Sequence, residues 1–96
     1  MSPREIKLTA SEMQFARLAL DLFQSHDAEA AQHIRLENLS LSLPDAPQLC
    51  ARFVTEGIWG ISDAIDASSL PSERKAQVRR TLVRLANKIT SATLGK

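Results

Sequence analysis

The sequence predicts a mainly α fold: a small domain of three to four helices with one short extended segment near 38–43, in a single unit over 1–96. Three observations lead there. Leucine and alanine supply 26 of the 42 apolar residues, against six isoleucines and three valines, and the first two lose little entropy in a helix. Only three glycines and four prolines interrupt the chain. The apolar residues recur mostly at three- and four-residue spacing. Ninety-six residues make one domain rather than two.

The first helix opens at a capping box, Thr9-Ala10-Ser11-Glu12, and runs to about Gln24. Glu12 there also complements the positive end of the helix dipole. At about 100° per residue, Met13, Ala16, Ala19, Leu20 and Phe23 share one side, and Phe15, Leu18 and Leu22 the adjoining one. Only Gln14, Arg17, Asp21 and Gln24 make a polar stripe. A helix with that much apolar surface needs more cover than one face of a small core gives. The helix is either central in the fold or shared with another chain, and the excess favours self-association as a homodimer.

Asp27 to His33 reads as a short second helix, capped by Ser25 or Asp27. From Ile34 the helical period fails. Leu39, Leu41 and Leu43 alternate with Ser40 and Ser42, the period of a half-buried strand. A lone strand leaves backbone groups unpaired, so it requires a partner. Glu5-Ile6-Lys7-Leu8 is one candidate, and the same strand of a second copy is another.

Asp45 is the expected N-cap of the third helix, with Pro47 in the first turn. The helix extends to about Asp66, and Leu49, Cys50, Phe53, Val54, Ile58, Ile61 and Ile65 fall within half of its circumference. The competing reading breaks it at Gly57 or Gly60, with Ser62 capping a new helix. Continuity turns Trp59 outward among Arg52, Glu56, Asp63 and Asp66; a break lets it pack inside. The last helix follows Pro71, is capped by Ser69 or Ser72, and spans about 73–91. Its Val78, Leu82, Leu85 and Ile89 stack on one face.

Charge is unevenly spread. The chain as a whole carries +1, yet residues 1–70 hold five basic and ten acidic side chains, while 71–96 hold seven basic residues and Glu73 alone. Arg80, Arg84 and Lys88 lie four apart on the last helix. A basic helix of this kind packs against its own acidic body, follows a phosphate backbone, or meets an acidic protein surface. It lacks the aromatic anchors of a membrane-surface helix, and no run approaches a membrane span.

Leu39-Ser40-Leu41-Ser42-Leu43-Pro44, then a helix, then Gly60-Ile61-Ser62-Asp63-Ala64-Ile65 resembles the strand–helix–helix order of ribbon-helix-helix DNA-binding proteins. The resemblance implies pairing of strands from two chains and insertion of the ribbon in the major groove. It covers 39–65 only. The strand carries no arginine or lysine to read bases, and Glu37 and Asp45 flank it.

Chemistry is sparsely signalled. His26 and His33 are seven apart with no third ligand fixed by spacing, so no metal is expected. Cys50 sits on an apolar stripe without a paired base, and neither a Gly-x-Ser-x-Gly elbow nor a phosphate-binding glycine loop occurs. The expectation is a non-catalytic protein without cofactor: a small interaction or regulatory protein, an adaptor or inhibitor acting on a partner protein's surface. Its candidate contacts are Trp59, Arg52, Arg80, Arg84 and Lys88. The alternative is a nucleic-acid-binding regulator using 73–91. A start without an apolar leader region (Met1 to Glu5) and the single cysteine predict the cytoplasm. The size and class fit a bacterial or phage-encoded protein.

Overall fold

A computed structural model describes residues 4–93. Helices dominate it, joined by one small sheet. The order is β1 (Arg4–Lys7), α1 (Ala10–His26), α2 (Ala28–Ala31), β2 (Arg35–Glu37), β3 (Ser40–Leu43), α3 (Pro47–Arg52), a π-helical segment (Phe53–Ile58), α4 (Trp59–Asp66) and α5 (Ser72–Thr93).

The capping box forms as its spacing predicts. The Thr9 hydroxyl accepts from the Glu12 N–H at 3.2 Å, and the Thr9 N–H donates to Glu12 Oε1 at 2.9 Å. Asp27 caps α2 by accepting from the Ala30 N–H at 3.0 Å. That helix ends at Ala31, short of the expected His33, and the chain turns toward the sheet.

The leucine–serine alternation is strand β3, and it lies in the middle of the sheet. β1 pairs with one edge and β2 with the other, both antiparallel, with Ile6 and Leu36 flanking Leu41. This row faces the helices, where Leu41 and Leu43 are fully buried. Two expectations are corrected here. Asn38 and Leu39 are not extended: they are the two-residue loop of the β2–β3 hairpin, with φ of 49° and 60°. Hairpin twist demands positive φ at both loop positions. The Leu8 N–H, donating to the Leu39 carbonyl at 2.8 Å, holds the bend in place. The ribbon-helix-helix arrangement also fails, because both edges of β3 are used within the chain and none is left for a second copy.

The third helix stays helical from Pro47 to Asp66, so the break at Gly57 or Gly60 does not occur. Its middle widens instead to π-type bonding. Ala46, not Asp45, occupies the N-cap, with no side-chain bond, and its carbonyl accepts from the Leu49 and Cys50 N–H groups. The glycines serve close approach: a Cβ on Gly57 would lie 2.7 Å from the Ala19 carbonyl oxygen, and one on Gly60 2.5 Å from Leu22 Cδ2. α1 crosses the rod at these two points. Phe23 and Phe53 meet edge to face there, centroids 5.8 Å apart.

α5 closes the core with Leu82, Leu85 and Ile89, all fully buried. It starts at Ser72, so neither Ser69 nor Ser72 is its cap; the Pro71 carbonyl accepts the first bond, from Lys75. Ser68 closes the preceding helix, its hydroxyl donating to the Ile65 carbonyl at 2.6 Å.

Candidate functional site

α5 carries half of the twelve lysines and arginines, and its neighbours divide them. On one flank Lys88 Nζ lies 2.6 Å from Glu12 Oε1 and also donates to the Lys7 carbonyl at 3.3 Å. Glu12 is fully buried. Burial pushes its carboxyl pKa up, but the Lys88 hydrogen bond, the Thr9 amide and the ammonium charge outweigh it, and the group sits below its ordinary value. Its second oxygen, Oε2, is buried without a hydrogen-bond partner. Lys88 is therefore part of the scaffold and not the free surface cation that the sequence pattern expects.

On the other flank Arg79 pairs with the Asp66 carboxylate, and Lys75 Nζ donates to the Asp66 carbonyl at 3.0 Å. These contacts lock the end of α4 beside the start of α5. The remaining outward line of α5 is Arg80, Val83, Arg84 and Asn87, all exposed. Arg80 makes one long bond, 3.4 Å, to its own helix at Ala76, and neither Arg80 nor Arg84 has an ion-pair partner among the described residues.

Trp59 joins this line. It begins α4 and is 36% exposed. Helical spacing puts it on the same side of α4 as Asp66, seven residues on. Val83 and Ala86 lie four and seven residues beyond Arg79 on α5, on the side that meets Asp66. Helical spacing thus sets Trp59 on the side of α4 that carries Asp66, and Val83 on the side of α5 that carries Arg79, with Arg80 and Arg84 exposed further round α5. Val83 was not singled out from sequence, because a lone valine between two arginines carries no signal of its own.

Arg52 lies elsewhere. Its guanidinium reaches Glu56 at 2.8 Å and Asp27 at 3.1 Å, and stacks over the Phe23 ring at 5.5 Å from the centroid. The Ala30 amide and Arg52 together draw the Asp27 carboxyl below its usual range. The π segment is the reason Arg52 and Trp59 part. Bonding one residue further along the chain costs about one residue of register, roughly 100° of rotation. The ring of Arg52, Glu56, Asp63 and Asp66 around Trp59 expected from an unbroken α-helix is split by that rotation.

Hollows also open on other faces, two of them over residues singled out from the sequence. An apolar one of about 350 Å³ lies between α3 and the end of α5, over Cys50, Val54 and Ile89. Cys50 is buried, its thiol donating to the Pro44 carbonyl at 3.6 Å. A polar hollow of about 440 Å³ covers the outer sheet face beside His33, with Ser40 and Ser42 at its centre. His26, at the end of α1, is exposed. Among the described residues no cluster of three or more His, Cys, Asp or Glu side chains is arranged to hold a metal ion. No described helix is long and apolar enough to cross a membrane.

No protein-family model matches the chain, no curated protein matches it, and no solved structure matches its fold.

Proposed function

We propose that this is a non-catalytic interaction and regulatory protein, an adaptor or inhibitor working in the cytoplasm as a homodimer, and that it acts by occupying a partner protein's surface. The observation that supports the reading is the α4–α5 flank. A tryptophan on α4 and a valine on α5 stand partly exposed there, and α5 carries Arg80 and Arg84 without ion-pair partners among the described residues. Large aromatics and arginine dominate binding energy at protein contacts. The matching partner surface is an apolar recess for the indole, rimmed by carboxylates. The competing reading, phosphate binding along α5, is supported only by Arg80, Arg84 and Arg74, because Lys75, Arg79 and Lys88 are engaged within the chain.

Trp59 is the single tryptophan, so its fluorescence reports directly on the site. With a partner isolated from the native cell and purified, the indole emission is expected to shift to shorter wavelength on binding. Trp59→Ala is expected to weaken that complex about 30-fold with the fold intact. Retention of full affinity by Trp59→Ala would overturn the assignment. So would tight binding of mixed-sequence duplex DNA or RNA that falls steeply with salt and is lost on changing Arg80 and Arg84 to Ala.

A further inference from the structure

We propose that the free edge of β1, with the groove between it and α5, receives an extended acidic segment of a partner protein as an added antiparallel strand. This surface lies apart from Trp59, and the inference does not rest on the reading of that flank; Arg84 alone belongs to both. β1 is an edge of the sheet, with only β3 beside it. The Leu8 N–H donates to the Leu39 carbonyl at 2.8 Å, so Leu8, and Ile6 two residues before it, turn their backbone groups toward β3. Glu5 and Lys7 alternate with them and turn theirs outward. The Lys7 carbonyl agrees with this, since Lys88 Nζ donates to it from α5 at 3.3 Å. The Glu5 N–H, the Glu5 carbonyl and the Lys7 N–H have no partner among the described residues. They recur at the two-residue repeat of a strand, which the amides and carbonyls of an added strand match. On β2, at the other edge, Leu36 alone turns outward, because its opposite, Leu41, turns toward β1.

The wall facing this edge selects the segment. A groove of about 560 Å³ runs between β1 and α5, with Ile6 on the strand side and Arg84, Asn87 and Ser91, three and four residues apart, on the helix side. The Arg84 guanidinium, the Asn87 carboxamide and the Ser91 hydroxyl are donors without a hydrogen-bond partner among the described residues. Lys7 carries no ion pair there either, while Lys88 spends its charge on Glu12. Two unpaired cations therefore line the groove against Glu5 alone. Side chains of an added strand alternate. One set stands beside Glu5 and Lys7 on the outer sheet face, and the other, level with Ile6, points toward α5. A carboxylate in the second set meets the three donors, and an ammonium there meets a cation. A short, charged edge turns away neutral strands, so charge decides what is admitted. A second copy of β1 does not answer this wall, because Ile6 and Leu8 on its inward set offer no carboxylate.

Amide hydrogen exchange of the full chain, read residue by residue by NMR, tests this with a defined probe: a capped seven-residue peptide in which glutamate alternates with valine. In the free protein the Glu5 and Lys7 amides are expected to exchange at least about tenfold faster than that of Ile6, and saturating peptide to slow both at least about tenfold. The same peptide with lysine for glutamate should bind at least about tenfold more weakly. N-methylation of the valine amides, which face β1, should weaken binding as much, and N-methylation of the glutamate amides, which face away, should not. Arg84→Ala is expected to weaken binding about fivefold. Lys7→Pro removes an outward N–H without touching a bond to β3, and should do the same with unchanged circular dichroism. Unchanged exchange at Glu5 and Lys7 in about 1 mM peptide, equal binding of the lysine peptide, or full binding after N-methylation of the valines would each overturn the proposal. Protection of the two amides that rises with protein concentration alone would make the occupant a second copy and overturn it as well. None of these outcomes touches the Trp59 assignment, which is read from the indole emission.

Discussion

The two flanks of α5 use the same device in opposite surroundings. On one, Lys88 crosses to Glu12; on the other, Arg79 crosses to Asp66. Glu12 is fully enclosed, and a third of the Lys88 side chain reaches solvent. Both members of the second pair stay about half exposed, at 54% and 46%. Water screens that pair and satisfies whatever the pair does not. Bulk solvent does not reach Glu12, so every interaction there counts for more and every missing one costs more. Cations on the flanks of α5 fasten the helix to acidic residues of the body, and among the described residues of α5 Arg74, Arg80 and Arg84 carry no ion pair.

The sharpest way to break the comparison is to remove the lysine. Lys88→Met keeps the aliphatic stem and deletes the ammonium, leaving Glu12 with the Thr9 amide alone. Removing one partner of a buried pair costs about 3–5 kcal/mol, and the partial exposure of Lys88 discounts this. Protonation of Glu12 sets a ceiling of about 4 kcal/mol at pH 7. The expected loss is therefore about 2–4 kcal/mol, read from urea melts. Adding Glu12→Gln should return most of it, because no uncompensated charge then remains. A loss below about 1 kcal/mol would show that the interior position gives the pair no advantage over a surface one.

Acid sharpens the same contrast without mutation. Glu12 titrates lower in the folded chain than its unfolded value of about 4.3. Its pair with Lys88 therefore stabilises fully above that unfolded value. The contribution drains away as pH falls through the lower, folded value. Unfolding free energy measured from pH 7 to pH 2 should fall most steeply below about pH 4. In Glu12→Gln the slope in that window should be shallower. Equal slopes in the two proteins would mean that Glu12 carries no such linkage.

The sequence makes one side of this comparison legible and hides the other. Thr9-Ala10-Ser11-Glu12 announces the capping box, and the Leu–Ser alternation announces β3, while leaving its partner open between Glu5–Leu8 and a second copy and giving no sign of β2. Local spacing suffices for both. Glu12 as a buried anion is less visible, yet a signal exists: Glu12, Ala16, Ala19 and Phe23 share one stripe, so the carboxylate rides on the inward face. What spacing cannot supply is the cation 76 residues away that makes this tolerable. The π segment is hidden for a similar reason. Gly57 and Gly60 read locally as helix breakers. Only their contact with Ala19 and Leu22 of α1 shows that they let two backbones approach. That register change decides which residues surround Trp59, so Arg52 leaves the proposed surface and Val83 enters it.

The smallest effect belongs to the exposed flank, and its smallness is the point. Asp66→Asn removes the charge facing Arg79, while the Asp66 carbonyl that accepts from Lys75 belongs to the backbone and survives. Half-exposed pairs of this kind contribute about 0–1 kcal/mol, and salt weakens them. The urea midpoint should move by an amount corresponding to less than about 1 kcal/mol, and 1 M salt should erase the difference from wild type. The consequence for binding is larger than that for stability. With Asp66 neutral, Arg79 joins Arg80 and Arg84 among the α5 arginines without an ion pair in the described residues. An acidic partner should then associate faster, and the gain should vanish at high salt. An unchanged association rate would mean that the partner does not meet this flank, whatever the stability measurement says.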